Sequence, residues 1–435
     1  MNKLQHAPIA NPDRRRLLGS GAALAGLATL GLAGCATGGA SGPSIGRVVV
    51  IGGGFGGSTA ARYLKMWGGN IDVTLVERDT RFVSCPISNY VIGGHAGIDR
   101  ITRGYEGLKA MGVKVVQGEV TAIDAAGKKV RLAGGGELAY DRLVVSPGID
   151  FMTEQVGGLQ AALAAGTITH SWKAGPQTLA LKAQLEAMRD GGVFAMSIPL
   201  APYRCPPGPY ERACMVASYF KQAKPNAKVL ILDANPDIQS KKGLFMRAWD
   251  QHYKGMIEYR PNAGLREVSG TTARLEFEDV KADVLNVIPA QRAGDLARTA
   301  GLITANNRWC GVNWLTMESV AVPGVHVLGD ATLSAPAMPK SGHMANQHAK
   351  VAAAAIIALL KGEPVNSTPV VMNTCYSFVT AKDVVHVASV HQYDAADKTF
   401  KSVPGSGGLS AAANQIEGRY ALSWADNIWG DMLNV

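Results

Sequence analysis

The stretch GRVVVIGGGFGGSTAARYLKMWGGNIDVTLVERD, residues 46–79, decides the fold. Val48 to Ile51 is an unbroken β-branched run that reads as a buried parallel strand. The turn Gly52-x-Gly54-x-x-Gly57 follows, STAARYLKMW has helical periodicity, and a second apolar strand, DVTLVE, ends on Glu77, 20 residues past Gly57. A dinucleotide needs this order. The glycines allow a tight turn and close approach of a pyrophosphate, the helix N-terminus offsets its negative charge, and the terminal carboxylate accepts hydrogen bonds from ribose hydroxyls. A lone glycine triplet would be a weak signal. Strand, helix and acid together make Gly52, Gly54, Gly57 and Glu77 an adenine-dinucleotide site.

Two later stretches choose FAD over NAD. YDRLVVSPG, residues 140–148, resembles the return strand that closes the first domain of two-dinucleotide-binding flavoproteins. VPGVHVLGDA, residues 322–331, resembles their second FAD motif, which implies that Gly329 and Asp330 hold the ribityl or pyrophosphate region. The fold class expected is α/β: two Rossmann-like three-layer domains, one a glutathione-reductase-like FAD domain and one a degenerate NAD-type domain, followed by a small C-terminal α+β domain. The boundaries expected are 1–43 for an export signal and linker, 44–158 and 291–362 for the two parts of the FAD domain, 159–290 for the second domain, and 363–435 for the last.

The second domain departs from its type at one place. GGVFAM reads as a strand and ACMVASYFKQA as a helix, but the loop between them lies in SIPLAPYRCPPGPYERAC, residues 197–214. A phosphate loop needs backbone N–H groups and positive φ, and proline supplies neither. Pro199, Pro202, Pro206, Pro207 and Pro209 stiffen the chain around Cys205, so nicotinamide is not the expected reductant. Cys205 stands just before a helix, where dipole and free amides favour thiolate. Its plainer role is a small buried residue in a turn. Glu211, six residues on, is either a proton carrier facing the same pocket or a charge compensating the helix dipole.

Of the 435 residues, 47% are hydrophobic and 18% charged, with 51 glycines, which suits an α/β enzyme rich in tight turns better than a disordered or coiled-coil chain. DRRRLLGSGAALAGLATLGLAGC, residues 13–35, pairs Arg14, Arg15 and Arg16 with a weakly apolar stretch that ends in small residues. This reads as a twin-arginine export signal, and the location expected is the periplasm. LAGC, ending at Cys35, also resembles a lipoprotein box; ordinary cleavage after Cys35 and retention as a single anchor are the alternatives. Residues 1–35 carry +3 of the formal +9, leaving a mildly basic +6 that suits an acidic protein partner or anionic substrates. There is no lysine/arginine run of the kind that binds nucleic acid, and no metal-ligand spacing. Five cysteines follow Cys35, so in an oxidising compartment at least one has a fate other than an internal disulfide.

With these residues in view, the sequence resembles the flavoprotein subunit of flavocytochrome c sulfide dehydrogenase. The marks are CPISNYVIGG from Cys85, YRCPPGPYERA around Cys205, GDATLSAPAMPKSGHMANQHAK from Gly329, and NTCYS around Cys375. The resemblance implies that Cys85 is joined through sulfur to the flavin 8α-methyl group. It implies that Cys205 and Cys375 form a redox-active disulfide beside the isoalloxazine, with Cys214 and Cys310 as packed thiols. It puts the acid/base role on Glu211, and Lys340 with the amides after Pro339 at the pyrimidine end of the flavin. His343 and His348 are expected to pack, and Trp424 or Trp429 to lie against the flavin or in the core.

The activity implied is oxidation of sulfide to sulfur or polysulfide. Hydrosulfide opens the disulfide to a persulfide and a thiolate, and single electrons pass to a c-type cytochrome. No Cys-x-x-Cys-His occurs, so haem is expected only on a partner subunit. Two other readings stand beside this one: a sulfide:quinone oxidoreductase, which would need a quinone channel and an amphipathic surface helix, and a non-enzymatic redox or assembly protein that keeps FAD for stability.

Overall fold

A computed structural model of the chain describes residues 43–435, so the stretch expected to be an export signal, with Cys35, lies outside the described residues. The opening strand is Arg47–Ile51 and the next is Asp72–Glu77, joined by the helix Phe55–Gly68. They lie side by side, fifth and sixth in the order of a seven-stranded sheet. Five of its strands are parallel: Lys114–Gln117, Asp72–Glu77, Arg47–Ile51, Arg142–Val145 and Val325–Val327. The last two belong to the stretches read from the sequence as FAD-domain returns.

Both faces of this sheet are buried, and for that reason its strands are continuously apolar. Val48 and Val50 point to one side, where the helices Phe55–Gly68 and Gly342–Lys361 pack. Val49 and Ile51 point to the other, against an antiparallel sheet of Val120–Asp124, Lys129–Leu132 and Glu137–Ala139.

The second domain repeats this build. Four parallel strands run in the order Ile257–Arg260, Lys228–Asp233, Val193–Ile198, Val284–Val287. Phe194 and Met196 face a helical layer that includes Gly208–Ala223, while Ala195 and Leu230 face a small antiparallel sheet.

The C-terminal residues form a separate antiparallel sheet. Val370–Phe378 pairs with Val384–Asp394 in a register that sets Cys375 opposite Val387. The helix Gln415–Leu433 follows, its first turn capped by the Asn414 side chain, which accepts from Glu417 N. Its Asp431 reaches back to the first domain, accepting from Tyr63 Oη and Asn346 Nδ2 and pairing with Lys350 at 3.0 Å. These contacts fix the C-terminal element, and with it Cys375, against the dinucleotide domain.

The glycine turn is held by close packing of backbone on backbone. A Cβ at Gly57 would stand 1.8 Å from Gly52 O, and Gly52 has φ +93°. Gly57→Ala should therefore destabilise the protein by about 2–4 kcal/mol. Urea denaturation followed by far-UV circular dichroism measures this, and an unchanged midpoint would show that the turn is not built this way.

Candidate active site

One cavity of about 1070 Å³ draws its lining from all three regions of the chain. That is just above the ordinary range of ligand-site volumes, roughly 300–1,000 Å³. Gly52, Gly54 and Glu77 line it. Glu77 is anchored by two backbone donors, Gly53 N and Asp79 N. A Cβ at Gly54 would meet nothing within 4 Å, so open space faces this backbone. Asp330 also lines it, and its Oδ1 is buried with no partner among the described residues; Gly329 before it has φ +69°. Burial raises the Asp330 pKa, and Arg204 and Lys340 act against the rise. Trp172 Nε1 is likewise buried and unpartnered on the cavity wall. A cavity of this volume, lined by a glycine turn with its acidic residue and by buried polar atoms without partners, fits FAD.

Cys85, Cys205 and Cys375 all line this cavity. Cys85 Sγ lies 3.2 Å from Arg204 Nη2, which also donates to Trp172 O. Cys205 itself adopts φ +55°, and its N–H donates to Lys340 O at 2.8 Å. Gly208 lets the helix start close to the sulfur, because a Cβ there would lie 2.9 Å from Cys205 Sγ. Cys375 projects from its strand with Asn373 Nδ2 at 3.3 Å from its sulfur.

The structure corrects one expectation here. The Cys205 thiol is not favoured as thiolate: burial pushes its pKa up, Cys375 and Glu211 add to the rise, and Lys241 and Arg204 oppose it. A helix terminus contributes up to about 2 kcal/mol, whereas removing a charge from water costs several kcal/mol. Burial wins. All three cysteines are free thiols in the structure, with Cys205 and Cys375 close enough for the charge of one to act on the other.

Glu211 is in the first turn of the helix Gly208–Ala223, and its carboxylate accepts from Asn89 Nδ2 at 2.8 Å and Phe378 N at 2.9 Å. It faces the cavity rather than solvent, and burial raises its pKa. Arg212 beside it is 1% exposed and donates to Asn89 Oδ1, His170 O, Asn286 Oδ1 and Ser171 O, which locks the helix start in place.

Lys340 lines the cavity, but its ammonium donates to Asp330 O and Thr332 O and stacks 3.8 Å from the Trp309 ring centroid. Burial pushes its pKa down to about 8. Its charge is held by those carbonyls and that ring, and the cavity wall beside it is the helix start at Gly342 and His343. His343 accepts from Thr374 N and is pushed down to about 4 by burial; His348 lies in the core at about 3. Burial disfavours the charged form of both; His348 packs in the core, whereas His343 also lines the cavity. Trp424 lines the cavity, while Trp429 is in the core beneath Arg100 and Arg103. Cys214 and Cys310 are buried away from it.

The sequence reading missed Lys241, Arg204 and Asn89. Lys241 lies in a loop of the second domain, yet its ammonium donates to Cys375 O, Ser377 Oγ and Val385 O in the C-terminal sheet. Arg204, adjacent to Cys205, offered a sequence signal as a cation flanking the thiol. For Lys241 and Asn89 there was no such signal, because their partners come from distant segments.

Comparison with known proteins agrees with this geometry. Residues 178–289 match "Sulfide dehydrogenase [flavocytochrome c] flavoprotein chain, central", residues 367–433 match "Flavocytochrome c sulphide dehydrogenase, flavin-binding", and residues 46–175 match the pyridine nucleotide-disulphide oxidoreductase family. The sulfide dehydrogenase flavoprotein chain of Chlorobaculum thiosulfatiphilum is 60% identical over 45 residues, 10% of this chain and 94% of that one. The mitochondrial sulfide:quinone oxidoreductase of Mus musculus is 24% identical over 306 residues, 66% of this chain and 65% of that protein's length. The sulfide:quinone oxidoreductase of Aquifex aeolicus has the same fold, with a TM-score of 0.73 at 17% identity over 89% of this chain and 91% of that one.

Asp330 tests the cradle directly. Asp330→Ala removes a buried acceptor whose charged hydrogen bonds are worth roughly 1.5–3 kcal/mol. Non-covalent flavin affinity should fall about tenfold to a hundredfold, read as the flavin-to-protein absorbance ratio after exhaustive dialysis of refolded protein. An undiminished ratio would remove Asp330 from the cofactor site.

Proposed function

The chain belongs to the family of flavocytochrome c sulfide dehydrogenase flavoprotein chains, and from that premise we propose that it is the sulfide-oxidising flavoprotein subunit of a periplasmic enzyme that passes single electrons to a c-type cytochrome. The observation that carries this reading is the sharing of one cavity by three cysteines, Glu211 and the glycine turn of a dinucleotide site.

Gly52, Gly54, Glu77, Gly329 and Asp330 would hold FAD, with Gly57 behind the lining, packed on Gly52 O so that the turn stays tight, and Cys85, with Arg204 beside its sulfur, would carry the thioether. FAD supplies a two-electron acceptor able to give electrons up one at a time. The remaining chemistry belongs to the chain. Near neutral pH, hydrosulfide attacks a disulfide between Cys205 and Cys375: a new S–S bond forms on one cysteine, giving a persulfide, and the other leaves as thiolate. Glu211, its pKa raised by burial and its oxygens held by Asn89 and Phe378 N, takes up and returns protons in a wall that excludes water. The mildly basic surface favours both an anionic substrate and an acidic cytochrome. Haem is on that partner. Export by the twin-arginine route, with or without a lipid on Cys35, puts both subunits in one compartment.

A second reading, with quinone as acceptor, is favoured by the similarity to sulfide:quinone oxidoreductases. The two part on one assay. Sulfide-dependent reduction of a c-type cytochrome, without reduction of a ubiquinone analogue, is the outcome expected; the reverse preference would replace the first reading by the second.

Mass spectrometry of the denatured protein isolated from the periplasm should retain a flavin mass on the Cys85 peptide and a crosslink between the Cys205 and Cys375 peptides. Flavin released free on denaturation would sink the covalent link. Glu211→Gln should lower kcat by roughly 10²- to 10⁴-fold and move the acid limb of the pH profile, since a carboxylate whose pKa is raised acts as a base only above that value. A Glu211→Gln enzyme with the wild-type pH profile would take Glu211 out of the proton path.

A further inference from the structure

Lys241 is 4% exposed, holds φ +58° at the start of the helix Lys242–His252, and sends its side chain out of the second domain into the C-terminal sheet. Its three ammonium protons meet three neutral acceptors: Cys375 O at 2.9 Å, Ser377 Oγ at 2.8 Å and Val385 O at 3.3 Å. Among the described residues it makes no ion pair. A buried ammonium with neutral partners alone is costly, and such groups persist where a counter-charge completes them.

The charges that act on Lys241 come from every element around it: Cys375 first, on the strand Val370–Phe378; Glu211 and Cys205 from the helix start and the loop before it; and Glu417 from the C-terminal helix. Cys375 has the stronger claim. Its sulfur faces the Asn373 amide, and Lys241 is the foremost influence lowering its pKa. The Cys205 sulfur has no side-chain hydrogen bond among the described residues, and Cys375 and Glu211 disfavour its ionisation more than Lys241 and Arg204 favour it.

We propose that Lys241 is the fixed counter-charge for Cys375, so that opening of the sulfur pair by two electrons and one proton leaves the proton on Cys205 and the negative charge on Cys375. The inference rests on the reading of these two residues as a redox pair. In turnover hydrosulfide forms the new S–S bond on Cys205, its proton staying on the persulfide, and Cys375 leaves as the thiolate; in the test the two electrons come from a water-soluble phosphine, which is converted to its oxide. Lys241 acts through the sulfur rather than on the substrate, as a charge-setting residue held by the seam between the second domain and the C-terminal sheet.

The test uses the flavin-loaded protein. It is reduced anaerobically with the phosphine, pulsed with limiting iodoacetamide across a range of pH, and digested for mass spectrometry of the Cys205 and Cys375 peptides. In the wild type, Cys375 should be alkylated ahead of Cys205. In Lys241→Met its labelling near neutral pH should fall roughly tenfold, the equivalent of one pKa unit, with the labelling midpoint moved to higher pH; Lys241→Arg should keep the wild-type order. Preferential labelling of Cys205 in the wild type, or an unmoved Cys375 midpoint in Lys241→Met, overturns the proposal. The wild-type order needs no variant, so poor folding of Lys241→Met leaves the test standing. Loss of flavin absorbance on adding sulfide to the wild type is scored separately: its absence counts against the functional reading, whereas its presence with Cys205 labelled first counts against Lys241 alone.

Discussion

Sulfur chemistry in a buried cavity has to be matched by charge already inside the protein, because water is not there to supply it. Burial pushes the thiols of Cys205 and Cys375 away from ionisation and pushes Glu211 towards its neutral form. The same burial lowers Lys241 and Lys340 to about 8. Glu211 and the two lysines are thereby moved towards the range where protonation states interchange near neutral pH, while the two thiols are moved away from it. The cavity wall is a set of mutually dependent ionisations, held in place by Arg212, Asn89 and the strand backbone.

That mutual dependence explains the contrast between the two dinucleotide folds of the chain. In the first, the βα turn is made of glycines packed on Gly52 O and backed by Glu77. In the second, the equivalent turn is proline-bound, and its one left-handed position near the helix start, φ +55°, is taken by Cys205. A side chain now stands where a phosphate loop would have presented backbone N–H groups, and it faces the first domain's cavity rather than a second cofactor. One architecture thus provides a cradle on one sheet and a rigid sulfur mount on the other.

The C-terminal sheet completes the cavity. Cys375, Thr374, Tyr376 and Phe378 reach it from one strand, and Asp431 on the following helix ties that strand's neighbourhood to Tyr63, Asn346 and Lys350. Lys241 crosses the other way, from the second domain into the sheet. Positions remote in sequence are thereby made to share one electrostatic environment.

The chain's order of residues was enough to read the dinucleotide cradle, because its chemistry is local: strand, glycine turn, helix and acid follow one another within 34 residues, and close backbone approach needs glycine at fixed spacings. The proline-ringed Cys205 was legible for the same reason, since proline's missing N–H is a property of the residue itself. What the sequence could not set was the balance of charge around the sulfurs. The expectation of a helix-favoured thiolate at Cys205 gave way because desolvation depends on what covers a residue, and the cover comes from Trp172, Lys340 and the strand bearing Cys375. The place of Lys241 was decided only by tertiary structure: a lysine in a loop of one domain gains its meaning when three acceptors from another element close around its ammonium and water is excluded.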